Sequence, residues 1–184
     1  MRMRLAAVPL LFSAVLSMAD GGYVSAKRKL DTIESDRLPA GTRVEFTLAE
    51  LSAYAEKEVP AGVRNPRLQL GLPEVVTGTA LVDFGKVEQA QGKRPGWLMS
   101  KILEGERPVS VTARIRSAHG RATVDVERVE VSGIVIDGRT LDFLIQNILL
   151  PLYPSAVVGK PFELGHRIEK LDVRTASVVV AIGR

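Results

Sequence analysis

The sequence predicts an α+β fold in which a curved antiparallel sheet packs against two or three short helices. Three observations predict it. Apolar and polar residues alternate over several stretches, the period-two signature of half-buried strands. The apolar frame slips by one residue inside the longest of these, as a bulge would require. Three stretches with helical spacing interrupt the strands, the first carrying a capping signal.

In chain order, residues 1–19 read as a secretory signal peptide. Arg2 and Arg4 give a positive start with no acid before Asp20, and Leu5 to Leu16 is an apolar run broken only by Ser13. Ser17-Met18-Ala19 puts small residues three and one before a cut that would leave Asp20 first. The run is short against the roughly 20 residues a bilayer span needs. Arg2 and Arg4 are separated by Met3, so the signal is not of the twin-arginine kind, and with no cysteine there is no lipid-modified cysteine at the cut. The expectation is an exported product, periplasmic or secreted, folding without disulfides. Residues 20–42, with Gly21-Gly22 and the run Lys27-Arg28-Lys29, are expected to form a loose N-terminal extension with that run as a solvated edge. Residues 43–184 are expected to form a single α+β domain.

Composition excludes one class of partner. Processing would remove Arg2 and Arg4 and so lower the formal charge of +4 by two. The remaining basic residues are scattered among acids, as in Glu127-Arg128 and Glu169-Lys170. Nucleic-acid binding needs them massed on one face, so no nucleic-acid partner is expected.

Thr47 and Glu50 match a capping box, and Phe46 and Leu51 can staple it, so a helix over about 48–58 is predicted, ending before Pro60. Of the two box residues, Thr47 is expected to matter more, since the amide served by Glu50 can turn to water. Pro66 to Gly71 alternates weakly; Val76, Ala80, Val82 and Phe84 keep one face of a longer strand interrupted by Gly78. Val109, Val111, Ala113 and Ile115 alternate cleanly before the turn Ser117-Ala118-His119-Gly120. Ala122, Val124 and Val126 follow, and the frame then jumps to Val129 and Val131, which implies a bulge near Glu127-Arg128. Residues 168–173 and 177–182 read as a hairpin over Arg174-Thr175-Ala176.

Two further helices are predicted. Residues 96–104 carry Trp97, Leu98, Met99, Ile102 and Leu103 beside Lys101, with glycines at 92, 96 and 105. This helix either packs onto the sheet or forms a flap in which Trp97, Leu98 and Lys101 touch a membrane surface, the indole suiting the headgroup boundary. Residues 140–150, starting at Thr140, carry an apolar arc too wide for a one-sided surface helix. That helix must be covered by protein or by something the protein carries.

The run Phe46-Thr47-Leu48-Ala49-Glu50-Leu51-Ser52-Ala53-Tyr54, the long bent strands, the late apolar helix ending Leu149-Leu150-Pro151-Leu152-Tyr153-Pro154 and the closing strand follow an order that resembles LmeA-like exported proteins. That group is similar to tubular lipid-binding (TULIP) domains. The resemblance covers about residues 40–182 and rests on element order. It implies a strongly curved antiparallel sheet wrapped around a helix, with apolar side chains lining a groove for acyl chains.

Motifs for chemistry are weak. Gly133-Ile-Val-Ile-Asp-Gly138-Arg139-Thr140 has phosphate-loop spacing, but arginine replaces the lysine and β-branched residues fill the loop, so a strand end, a turn and an N-cap at Thr140 explain it better. His119 and His166 have no ligand partner at helical spacing, and neither Ser132 nor Ser155 sits on a nucleophile elbow. Asp125, Glu127 and Asp172 are most simply outward-facing strand charges. No catalytic residue, metal site or cofactor is expected, and the protein is not expected to be an enzyme. The leading expectation is non-enzymatic, extracytoplasmic binding of a lipid or other apolar ligand between the sheet and the 140–150 helix, lined by Leu141, Leu144, Ile145, Ile148 and Leu152. The second is an envelope interaction or assembly protein with a dry core filled by Phe162, Leu164 and strand valines; a hydrolase is third. Oligomeric state is not readable from the sequence.

Overall fold

The capping box forms as its residues dictate. Thr47 is extended (φ −71°, ψ 156°), its hydroxyl accepts from the Glu50 amide, and a Glu50 carboxylate oxygen accepts from the Thr47 amide at 2.8 Å. This turns the chain from strand β1 (Arg43–Thr47) directly into helix α2 (Leu48–Lys57). The protein is seen here in a computed structural model that describes residues 12–90, 105–150 and 157–184.

The architecture is α+β with antiparallel sheets, and the strands divide between two of them. The smaller has the order β1-β9-β8, where β8 (Ile168–Val173) and β9 (Ser177–Ile182) are the expected hairpin. The larger has the order β2-β3-β4-β5-β6, from β2 (Val63–Leu72), β3 (Val75–Asp83), β4 (Glu106–Ala118), β5 (Arg121–Val131) and β6 (Ile134–Ile136). A two-residue strand, β7 (Phe162–Glu163), pairs with the start of β5. The sheets meet where Ser117 of β4 donates its hydroxyl to the Leu171 carbonyl and accepts the Leu171 amide in β8, at 2.7 and 2.8 Å.

Each sheet has its own core. On the smaller one, Phe46, Val180 and Ile182 pack with Ala26 and Ile33 of helix α1 (Phe12–Glu34) and with Leu51 and Tyr54 of α2. On the larger one, Val129 and Val131 pack with Phe84 and the fully buried Val87 of helix α3 (Phe84–Ala90).

Three expectations are corrected here. Residues 20–34 are not a loose extension but part of α1. Of the glycine pair, Gly22 is a contact point: a Cβ on it would lie 3.1 Å from the Ala53 Cβ of α2, so the helices approach there because position 22 has no side chain. Nor is Lys29 simply solvated, since it turns inward to Glu50. Phe84, expected to continue a strand, begins α3, where the Asp83 carboxylate accepts the Lys86 amide at 3.0 Å and stops the strand. The predicted helix over 96–104 lies outside the described residues. Among those described, no helix is long and apolar enough to cross a membrane.

The bulge falls where the frame jump places it. Thr112 pairs with Arg128 and Ala113 with Val126, leaving Glu127 as the extra residue of β5. The β4–β5 turn is tight: Ala118 pairs with Arg121 across His119 and Gly120, both at positive φ (51° and 72°), the two-residue geometry that matches strand twist.

Candidate functional site

The inner face of the larger sheet is built by period-two alternation. Val109 pairs with Val131, Val111 with Val129 and Ala113 with Val126, so the bulge at Glu127 returns the second half of β5 to the same face as the first. Val82 of β3 and Val63 of β2 are paired with each other and extend that face. The opposite face is polar. Thr77 and Thr112 share a hydrogen bond at 3.0 Å, Arg114 pairs with Glu127 at 2.6 Å, and Arg116 pairs with Asp125.

Across the apolar face lies helix α4 (Gly138–Leu144), continued by a π-helical turn over Ile145–Leu149. The helix starts earlier than expected. Its N-cap is Asp137, extended at φ −137° and ψ 178° and without a side-chain cap bond, so Thr140 already lies inside the helix. The π turn is a second difference. The stripe through Leu141, Leu144 and Ile145 continues at Leu149 within that turn.

Sheet and helix do not close on each other. Between them is a partly open cavity of about 170 Å³ lined by Val63, Val82, Phe84, Val109, Val111, Val126, Val129, Val131, Leu141, Leu144, Ile145 and Leu149. Every described lining residue is apolar, so the wall offers water none of the polar partners that hold it in a buried site. Of the expected lining residues, Leu141, Leu144 and Ile145 are in the wall; the Ile148 side chain and Leu152 lie outside the described residues, as do Trp97, Leu98 and Lys101. Neither Phe162 nor Leu164 is among the lining residues. Sequence reasoning missed Val63, because Pro66 marked the apparent start of β2, and Phe84 as a helical wall residue. The signal for Val63 was its place three residues before Pro66, beyond the irregularity between Arg64 and Arg67.

The polar clusters are otherwise accounted for. Asp172 pairs with Arg174 at 2.9 Å, so each of the three carboxylates weighed as a catalytic group has its own arginine. His119 lies 3.5 Å from Glu169 and His166 lies 3.5 Å from Asp36, both at the surface. Among the described residues no group of His, Cys, Asp or Glu is placed to hold a metal ion.

The most strongly perturbed group is Glu50, with the residue only 9% exposed. It accepts from Ser25 Oγ at 2.5 Å, from Lys29 Nζ at 2.7 Å on both oxygens, and from the Thr47 amide. Burial alone would raise its pKa; the hydrogen bonds from Lys29, Ser25 and Thr47, with the Lys29 charge, overcome that and hold it at about 2. Lys29 also donates to the Glu45 carbonyl at 2.6 Å and lies 5.6 Å from the Phe46 ring centre. This cluster ties α1 to α2 and β1, within the smaller sheet's core.

No family model, curated protein or solved structure matches this chain.

Proposed function

We propose that the protein binds an apolar ligand, of the acyl-chain or similar lipid type, between the larger sheet and helix α4, and that it does so outside the cytoplasm without catalysing a reaction. The observation that carries this reading is the all-apolar, partly open cavity at the place where the sequence has more apolar surface than one core face requires. A core serving only assembly would close over α4. At about 170 Å³ the cavity is smaller than the ~300–1,000 Å³ of drug-sized sites and near the ~150 Å³ dry cavity that takes benzene. It therefore suits one short or partly inserted chain rather than a whole diacyl lipid. The order of elements that resembles LmeA-like exported proteins supports the same reading, and the basic start and apolar run of residues 2–16 support the location.

The assembly reading has one observation in its favour. On β6, the last strand in the order of the larger sheet, Ile134 is 67% exposed and Val135 47% exposed, an unusual display on an edge.

Mass spectrometry of an organic extract of the purified native protein tests the proposal, together with uptake of a fluorescent fatty-acyl probe. The expected result is a co-purifying apolar molecule and saturable uptake. Failure to bind any of a panel of fatty acids, phospholipids and isoprenoids would overturn it.

A further inference from the structure

A row of the sheet that lines the cavity ends on an arginine. In the register of the larger sheet Val63 pairs with Val82, and Val82 pairs with Arg107. These three residues form one row across β2, β3 and β4 and share a face. The first two line the cavity. Arg107 is also two residues before Val109, another wall residue, so the strand's alternation puts it on the same side. An arginine thus sits where the valine row would end.

One donor of that arginine is left without an acceptor among the described residues. Its Nε is buried and has no hydrogen-bond partner among the described residues. A guanidinium stays charged at any physiological pH and carries five N–H donors in a planar fork suited to carboxylate and phosphate oxygens. A buried donor without an acceptor is costly, and such groups in folded proteins call for an explanation. The acids next to it in the chain and in the register are engaged elsewhere: Glu106 pairs with Arg64 at 2.6 Å, and Asp83 with Lys86 at 3.1 Å. The cavity beside it offers no polar group, so any ligand inserted there must leave its polar end at the rim.

We infer that the ligand is an anionic amphiphile, a single-chain carboxylate or phosphate, whose tail enters the valine-lined cavity and whose head is taken by Arg107. This inference rests on the apolar-binding reading above and adds the chemical class of the head group. The geometry separates the two contributions: the tail is read by the sheet's inner face and α4, the head by one side chain at the end of the β2–β3–β4 row.

The test compares four ligands with the same tail, at concentrations below micelle formation, by calorimetry on the full chain: decanoate, decyl phosphate, decanol and decyltrimethylammonium. With wild type, the anions should bind about tenfold or more tighter than decanol, because a charge-assisted bond replaces an unmade one, and the cation should bind weakest. Arg107→Met should bring the anions down to the level of decanol and leave decanol unchanged; Arg107→Lys should retain part of the preference. The tighter of decanoate and decyl phosphate identifies the head. Equal binding of anions and decanol to wild type would overturn head capture and leave the cavity reading standing. Binding of none of the four would remove both. Arg107→Met should also melt no lower than wild type, since it deletes an unpaired donor; a clear drop would show that Arg107 serves the fold and would overturn the assignment.

Discussion

Replacing Glu50 by glutamine removes a buried charge without changing its shape, and the structure sets the size and pH range of the effect. The carboxyl has an ordinary pKa of 4.5 and is held at about 2 in the fold. That lowering corresponds to about 3 kcal/mol of preferential stabilisation of the charged form. Because the folded value is the depressed one, this contribution is complete above the unfolded pKa. It is lost as pH falls from about 5 through the folded value near 2. Urea midpoints of wild type and Glu50→Gln measured from pH 7 to pH 2 should converge across that window, with wild type losing about 3 kcal/mol more than the variant. The other carboxylates titrate in both proteins and cancel in the comparison. Curves that stay parallel from pH 5 to pH 2 would refute the reasoning, and would mean that Lys29 and Ser25 do not hold Glu50 in solution.

The same cluster reverses a ranking that the sequence implies: Glu50→Ala should destabilise more than Thr47→Ala, which loses one cap bond worth about 1 kcal/mol in a denaturant melt. Gly22→Leu should cost about 1–3 kcal/mol by forcing α1 from Ala53 of α2, whereas Gly21→Ala, with nothing within 4 Å of its added Cβ, should be neutral or slightly stabilising. Equal effects at the two glycines would deny the helix contact. Leu144→Trp should fill the cavity, abolishing uptake of a fluorescent acyl probe while the thermal midpoint stays near wild type; a fall of several degrees would indicate a core with no room. N-terminal sequencing of exported protein should begin at Asp20, and an intact Met1 on membrane-bound protein would replace cleavage with anchoring.

Local signals in the sequence were reliable where a few neighbouring residues decide the outcome. The Thr47–Glu50 box, the His119-Gly120 turn and the one-residue frame jump before Val129 each depend on spacing within about ten residues, and each appears in the fold. What could not be read was decided by distant partners. Gly21-Gly22 argues against a helix by propensity, yet α1 forms because Ala26 and Ile33 bury against Phe46, Val180 and Ile182. The division into two sheets depends on β1 pairing with β9, with Arg43 opposite Ala181 across nearly the whole chain. The site shows the same split. Leu141, Leu144 and Ile145 were visible as an apolar arc, while Arg107 reads in sequence as one charge among many. Its meaning comes only from register with Val82 and Val63.

The two cores carry opposite kinds of exception to simple apolar packing. The smaller sheet's core contains a buried carboxylate, but one satisfied by Ser25, Lys29 and Thr47, so the exception fixes the positions of α1 and α2. The larger sheet's core contains a partly open cavity and, in the same row of the sheet, an arginine N–H without a partner among the described residues. A ligand that fills the void and supplies the missing acceptor would offset both deficits, and would stabilise the fold in proportion to the logarithm of its concentration above Kd. Both departures lie in one region and are of the two types a single amphiphile would cure, which is why the apolar wall and Arg107 are better read as parts of one site than as two separate faults in packing.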